Sequence, residues 1–172
     1  MLPLKEAIDA KHREAEKMPF NQRMFKGELT PKEYLQYLNE QYCIFRVLEQ
    51  DDLPHKSLYR TYSVLQDMTE LRGEVEGELI PILESTAKYV EYLNGLSEDD
   101  RLPHIYLNYL ALMFGGQMMK TKVPGSGKLY DFDNQMEAAG SIRALQKDEW
   151  ADEANKGLDF MIGIFDELQR VS

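Results

Sequence analysis

At 172 residues the chain is the size of one domain, enough to bury about two-thirds of its unfolded surface. A hydrophobic content of 43% is ordinary for a soluble globular protein, and no apolar run approaches the ~20 residues of a membrane span. The net charge of −10 excludes a broad cationic face for nucleic acid, and the lone Cys43 excludes an internal disulfide and any multi-cysteine metal site.

Helical periodicity runs through the sequence. Leu4, Ile8, Ala15 and Met18 form one stripe of a first helix over residues 2–17, with Pro3 suited to its first turn. Thr30-Pro31-Lys32-Glu33 is a helix start of the capping-box type. The helix it opens is expected to run to about Gln50 through Tyr34, Leu38, Tyr42 and Phe45. Pro54 breaks the pattern, and Ser57 is read as opening a helix that ends near Gly73. Pro81 and Gly95 bracket a shorter helical piece. Ser97-Glu98-Asp99-Asp100 leads into a long helix interrupted by Gly115-Gly116. Pro124-Gly125-Ser126-Gly127 is a loop, and helices near 133–147 and 150–169 close the chain. No stretch alternates at period two, so one all-α domain over 1–172 is expected.

Three constellations carry chemistry. His12 lies in the first helix with Glu16 at i+4 on the same face, where the carboxylate can take the second ring N–H and fix the tautomer of a metal-ligating imidazole. A surface histidine is the plainer reading of the same residues. Gly115-Gly116 stands between Leu110, Leu112, Met113, Phe114 and Met118, Met119. Adjacent glycines in a helix cost roughly 1 kcal/mol each, which implies either backbone approaching a ligand or tight helix packing. Arg143 and Lys147 at i, i+4 can grip two carboxylates, or simply be a solvated helix face. A flat ligand between the first helix and the double-glycine helix, ligated by His12, fits a haem.

Charge is uneven. Residues 1–26 carry six Lys/Arg against four acids, leaving −12 for the remainder, and Lys120, Lys122 and Lys128 form a second basic stretch. These are either solvated surface or anchorage for anionic groups and an acidic partner.

On these motifs the chain resembles the biliverdin-producing haem oxygenases over nearly its whole length. Leu4-Lys5-Glu6-Ala7 through His12-x-x-Ala15-Glu16 is similar to that family's first helix. Phe25-Lys26-Gly27-Glu28-Leu29-Thr30 follows at the family's spacing, Tyr106-x-x-Tyr109-Leu110 with Gly115-Gly116-Gln117 resembles the distal helix, and Phe165-Asp166-Glu167-Leu168 resembles the end of the last helix. The resemblance implies a helical bundle sandwiching haem between a proximal helix and a kinked distal one. It implies His12 as iron ligand, Glu16 as its partner, and Gly115 and Gly116 crowding the distal side. Lys5, Arg143 and Lys147 would contact the propionates, with Tyr106 beside them, and Leu112, Met113 and Phe114 would form an apolar wall. Haem would be substrate and cofactor, opened to biliverdin, carbon monoxide and ferrous iron. Electrons would come from a ferredoxin or reductase docking near Lys11, Arg13, Lys120 and Lys122.

The chain also departs from that pattern. Leu112 stands where the family has an aspartate that holds water, Ala111 where a glycine is common, Phe114 where a serine is common, and Asn108 where an arginine is often found. Leucine neither orders water nor relays a proton, so Tyr42 and Asn108 are the candidates for the distal network, Tyr42 equally fitting a core tyrosine. The alternative function is a haem-binding or storage protein without catalysis. A di-iron carboxylate oxidase would need more histidines than His12, His55 and His104. A thiamin-degrading hydrolase would need Cys43 as nucleophile. The absence of a signal-peptide pattern or hydrophobic tail leads us to expect a soluble protein of the cytoplasm or an organellar stroma, a monomer or weak dimer.

Overall fold

A computed structural model describes residues 1–73 and 80–172. Among these residues the structure is helical without strands: α1 (Leu4–Ala7), α2 (Asp9–Lys17), α3 (Pro19–Phe25), α4 (Pro31–Leu48), α5 (Thr61–Arg72), α6 (Glu84–Asn94), α7 (Glu98–Met113), α8 (Gln135–Arg143) and α9 (Ala151–Val171). The long C-terminal α9 is the hub, packing on α2, α3, α6 and α7, while α4 packs on α5 and α6. The main core gathers Phe20, Tyr34, Leu38, Phe45, Tyr109 and Tyr130 around α4. A smaller cluster of Leu4, Ile8, Ala15, Leu107 and Leu158 joins α1 and α2 to α7 and α9. Burying these side chains is the main favourable contribution to the fold.

The Thr30 box forms as read: the Thr30 hydroxyl accepts from Glu33 N, Glu33 returns to Thr30 N, and Pro31 occupies the first helical position. The first helix differs. It breaks at Ile8 into α1 and α2, where Asn155 of α9 donates its amide to the Ala7 carbonyl at 3.2 Å, while Asp148 accepts from Leu4 N at 2.9 Å at the start of α1. A further helix, α3, follows Met18 with Pro19 at its first position, a start signal the periodicity reading passed over. Ser57 does not open α5. Residues Lys56–Leu58 make a 3-10 turn, and the helix begins at Thr61, whose amide is capped from afar by the Glu49 carboxylate at 3.2 Å.

The double glycine does not interrupt α7. The helix ends at Met113, and a 3-10 turn over Gly116–Met118 follows. Two glutamine side chains satisfy the carbonyls left open there: Gln117 donates to Leu112 O at 3.2 Å, and Gln135 to Met113 O at 2.9 Å.

Behind this turn, buried polar groups fix the 123–134 loop. The Arg60 guanidinium donates to the carbonyls of Ser57, Leu58, Leu129 and Asp131 and stacks 3.8 Å from the Phe132 ring. Asp67 accepts from Lys128 N and Leu129 N at 3.0 and 2.8 Å. Gly127 takes a left-handed conformation (φ 64°) where a side chain would meet Lys120 O at 2.8 Å. The loop thereby carries the buried Tyr130 ring against Gly116.

Candidate haem cavity

A cavity of about 670 Å³ opens between α2 and the end of α7, within the roughly 300–1,000 Å³ of small-molecule sites. Asp9, His12 and Glu16 of α2 line one side, and Ala111, Leu112, Phe114, Gly115 and Gly116 line the other. Tyr37, Gln41 and Ile44 of α4 and Met161 and Phe165 of α9 also line it. The lining is mostly apolar, with cations Lys5 and Arg143 among it.

His12 is about half exposed, and its Nδ1 sits 3.4 Å from Glu16 Oε1. Its Nε2 makes no hydrogen bond among the described residues, leaving that nitrogen for a ligand. The i, i+4 spacing on an uninterrupted α2 sets this pair, and the break at Ile8 leaves it intact.

The two glycines have different reasons to be glycine. A Cβ on Gly116 would lie 2.8 Å from two carbons of the Tyr130 ring, so packing excludes a side chain there. A Cβ on Gly115 would meet only the Ala111 carbonyl, at 3.4 Å, with open space beyond. Close packing, one of the two alternatives read from the sequence, is thus seen at Gly116, and Gly115 has room on its open side.

The remaining predicted residues divide. Lys5, Glu16, Tyr106, Asn108, Leu112, Phe114 and Arg143 line the cavity. Arg143 lays its guanidinium 4.6 Å from the Phe114 ring centre. Tyr42, Met113 and Lys147 do not line it. Met113 is buried in the main core instead. Tyr42 is half-buried against that core, with the Arg46 guanidinium 5.8 Å from its ring, because the register of α4 turns Tyr37, Gln41 and Ile44 to the cavity. Those three stand at i, i+4 and i+7, a spacing visible in the sequence that would have selected Gln41 over its neighbour. Arg143 and Lys147 do not share a helix face: α8 ends at Arg143, and Lys147 is extended (φ −133°, ψ 145°). Gln146 lines the cavity in its place.

Asn108 is buried. Its amide nitrogen donates to the His104 carbonyl at 2.8 Å and to the Tyr89 hydroxyl at 3.2 Å.

The basic residues expected at a docking face are largely paired. Lys11 contacts Asp159 at 2.5 Å, Arg13 contacts Asp9 at 2.9 Å, and Lys120 contacts Asp131. Lys122 makes no ion pair among the described residues. Burial raises the Cys43 thiol above its ordinary range, opposite to what a nucleophilic thiolate needs. Among the described residues no three His, Cys, Asp or Glu converge as a di-iron centre requires, and no helix is long and apolar enough to cross a membrane.

The cavity has the volume and the apolar lining of a small-molecule site. It offers a free imidazole nitrogen on one side, bare backbone on the other and cations among its lining. The chain is similar to known heme oxygenases in sequence and in fold. A family model described as Heme oxygenase matches residues 2–160. Heme oxygenase 1 of Bos taurus is 29% identical, the match covering 96% of this chain and 70% of that protein. Heme oxygenase 1 of Gallus gallus is 27% identical over 98% of this chain and 69% of that one. In fold, the chain superimposes on heme oxygenase-1 from the cyanobacterium Synechocystis, solved in complex with heme, with a TM-score of 0.83 at 20% identity, covering 98% of this chain and 91% of that one. The heme oxygenase of Leptospira interrogans gives 0.78 at 22% identity, covering 95% and 97%. A sandwich cavity built on α2 and the end of α7, inside a match spanning most of the sequence, places the chain in the heme oxygenase family.

Proposed function

We propose that the protein binds haem in the cavity between α2 and the α7 terminus and opens its ring to biliverdin, carbon monoxide and ferrous iron. The observation that carries this reading is the pairing of a free His12 Nε2 with the uncovered backbone at Gly115 across one cavity. Haem is the substrate and supplies the iron that activates oxygen. His12 would hold the iron through Nε2, with Glu16 Oε1 3.4 Å from Nδ1 to orient the ring. Lys5 and Arg143 neutralise the ligand's carboxylates, and the stacking of Arg143 on Phe114 limits the positions its guanidinium can take. Leu112 and Phe114 keep the distal side dry, and bare Gly115 lets the ligand's face come close to backbone. Electrons come from a separate ferredoxin or reductase, and a cytoplasmic or stromal protein is the expected setting.

One observation favours a second reading, a haem binder without catalysis. The distal residue Leu112 is buried and apolar, offering no carboxylate to hold water. One experiment separates the two. Haemin is added to the purified protein, a reductant system follows under air, and the visible spectrum is recorded. Loss of the Soret band with growth of biliverdin absorbance supports the oxygenase. A stable Soret band that His12→Ala alters supports the binder. Absence of any Soret band refutes both.

A further inference from the structure

A chain of polar side chains runs from Asn108 behind the α7 wall of the cavity, and the roles above use none of its other members. Asn108 donates to the Tyr89 hydroxyl at 3.2 Å, and that hydroxyl meets His104 Nδ1 at 2.8 Å. His104 Nε2 meets Glu153 Oε1 at 2.9 Å, and Tyr92 donates to the same oxygen at 2.6 Å. Tyr89 and His104 are wholly buried, while the Glu153 side chain is 21% exposed, with Lys156 3.8 Å from its other oxygen.

Donor and acceptor counting gives the chain a direction. The Tyr89 hydroxyl has one proton. The Glu153 carboxylate can only accept from Nε2, so in the neutral ring Nδ1 is the acceptor and the hydroxyl donates to it while accepting from Asn108. The neutral ring then carries its proton on Nε2 and donates to the Glu153 carboxylate. Burial holds His104 below the ordinary imidazole value, which favours this neutral form. Burial also opposes ionisation of Glu153, but the hydrogen bonds from Tyr92 and His104 outweigh it and hold the carboxyl below its usual range.

The consequence falls on Asn108. Both protons of its amide are committed, one to the His104 carbonyl and one to Tyr89. Turning the amide over would set its oxygen against a carbonyl that can only accept. Oδ1 therefore stays on the other side, with no hydrogen bond among the described residues, on a residue that lines the cavity. Gly157 makes room for the arrangement: a Cβ there would lie 2.9 Å from His104 Nδ1 and 2.6 Å from Leu107.

Building on the proposed function, we propose that Tyr89, His104 and Glu153 are positioning residues that lock the Asn108 amide, so that Oδ1 is the acceptor the distal wall offers to a water inside the cavity. This supplies at Asn108 the polar anchor that Leu112 cannot provide one turn later.

The test begins with haem-free protein labelled with 15N. Long-range imidazole correlations should show His104 neutral with its proton on Nε2, and the Asn108 side-chain amide should exchange slowly. Tyr89→Phe keeps the ring volume while deleting the link. It should speed that exchange about tenfold, the scale of one lost hydrogen bond. Glu153→Gln, at the partly exposed end, should move it in the same direction by less. In haem-loaded Tyr89→Phe, kcat for ring opening should fall and its pH profile shift, with KM for haem little changed. A structural role alone would lower thermal stability and leave the Asn108 amide and the pH profile alone. Unchanged exchange in both variants overturns the inference. Failure to take up haem instead overturns the proposed function, and the amide exchange still reports whether the chain holds Asn108.

Discussion

Replacing each glycine of the Gly115-Gly116 pair by alanine should move stability in opposite directions. At Gly116 the new methyl would stand 2.8 Å from two carbons of the Tyr130 ring, about 1 Å inside the ~3.5–4.0 Å of a relaxed carbon contact. Tyr130 cannot retreat easily. It is buried, its hydroxyl faces the sulfurs of Met24 and Met119, and its backbone is held through Leu129 and Asp131 by Arg60 and Asp67. The strain must be relieved by moving the 114–119 segment, and overpacking of this kind costs about 1–3 kcal/mol. For a chain of this length that lowers Tm by about 2–12 °C. At Gly115 the backbone is already helical (φ −71°, ψ −38°), and the methyl meets only the Ala111 carbonyl at ordinary contact distance. Gly115→Ala should therefore leave the haem-free protein as stable or raise it by about 0.4–1 kcal/mol through the unfolded state. Its cost should appear in haem affinity, because the methyl extends from the cavity lining. Differential scanning calorimetry of the two haem-free variants, followed by haemin titration, measures both effects. A Gly116→Ala protein as stable as the parent, or a Gly115→Ala protein clearly less stable, would refute the division of roles.

The other predictions concern the framework and the proximal pair. Arg60→Met should cost at least about 3 kcal/mol in urea denaturation, because it strips donors from buried carbonyls that fix the Tyr130 loop. Gly157→Ala should cost about 1–3 kcal/mol by crowding Leu107 and His104, and should disturb the His104 imidazole resonances; a neutral result would contradict the close packing at α9. The Arg23 hydrogen bond pulls the Glu33 carboxyl down to about 2, so its contribution to stability is complete above pH ~4.3 and is lost as pH falls toward 2. Glu33→Gln should flatten the stability–pH curve in that window, and an unchanged acid slope would argue against the ion pair. His12→Ala should alter the Soret band of the haem complex, and an identical spectrum would exclude His12 as the ligand.

Much of the fold follows from interactions spanning no more than four residues, and those are legible in sequence. The Thr30 capping box, the extents of the helices near Pro81–Gly95 and 150–169, and the His12–Glu16 pair all depend on helical spacing alone. Tertiary contacts decided the rest. Asn155 bonds the carbonyl at the break in the first helix from 148 residues away, Glu49 moves the start of α5, and Gln135 helps end α7 before its glycines. The packing of α4 chose Gln41 over Tyr42, and the early end of α8 separated Arg143 from Lys147. The chain from Asn108 to Glu153 had no local signature at all, because its members come from α6, α7 and α9 and meet only after those helices pack. Helical periodicity reports which face is apolar. Which neighbour covers that face, and which hydrogen bond crosses it, depends on contacts between residues far apart in the chain.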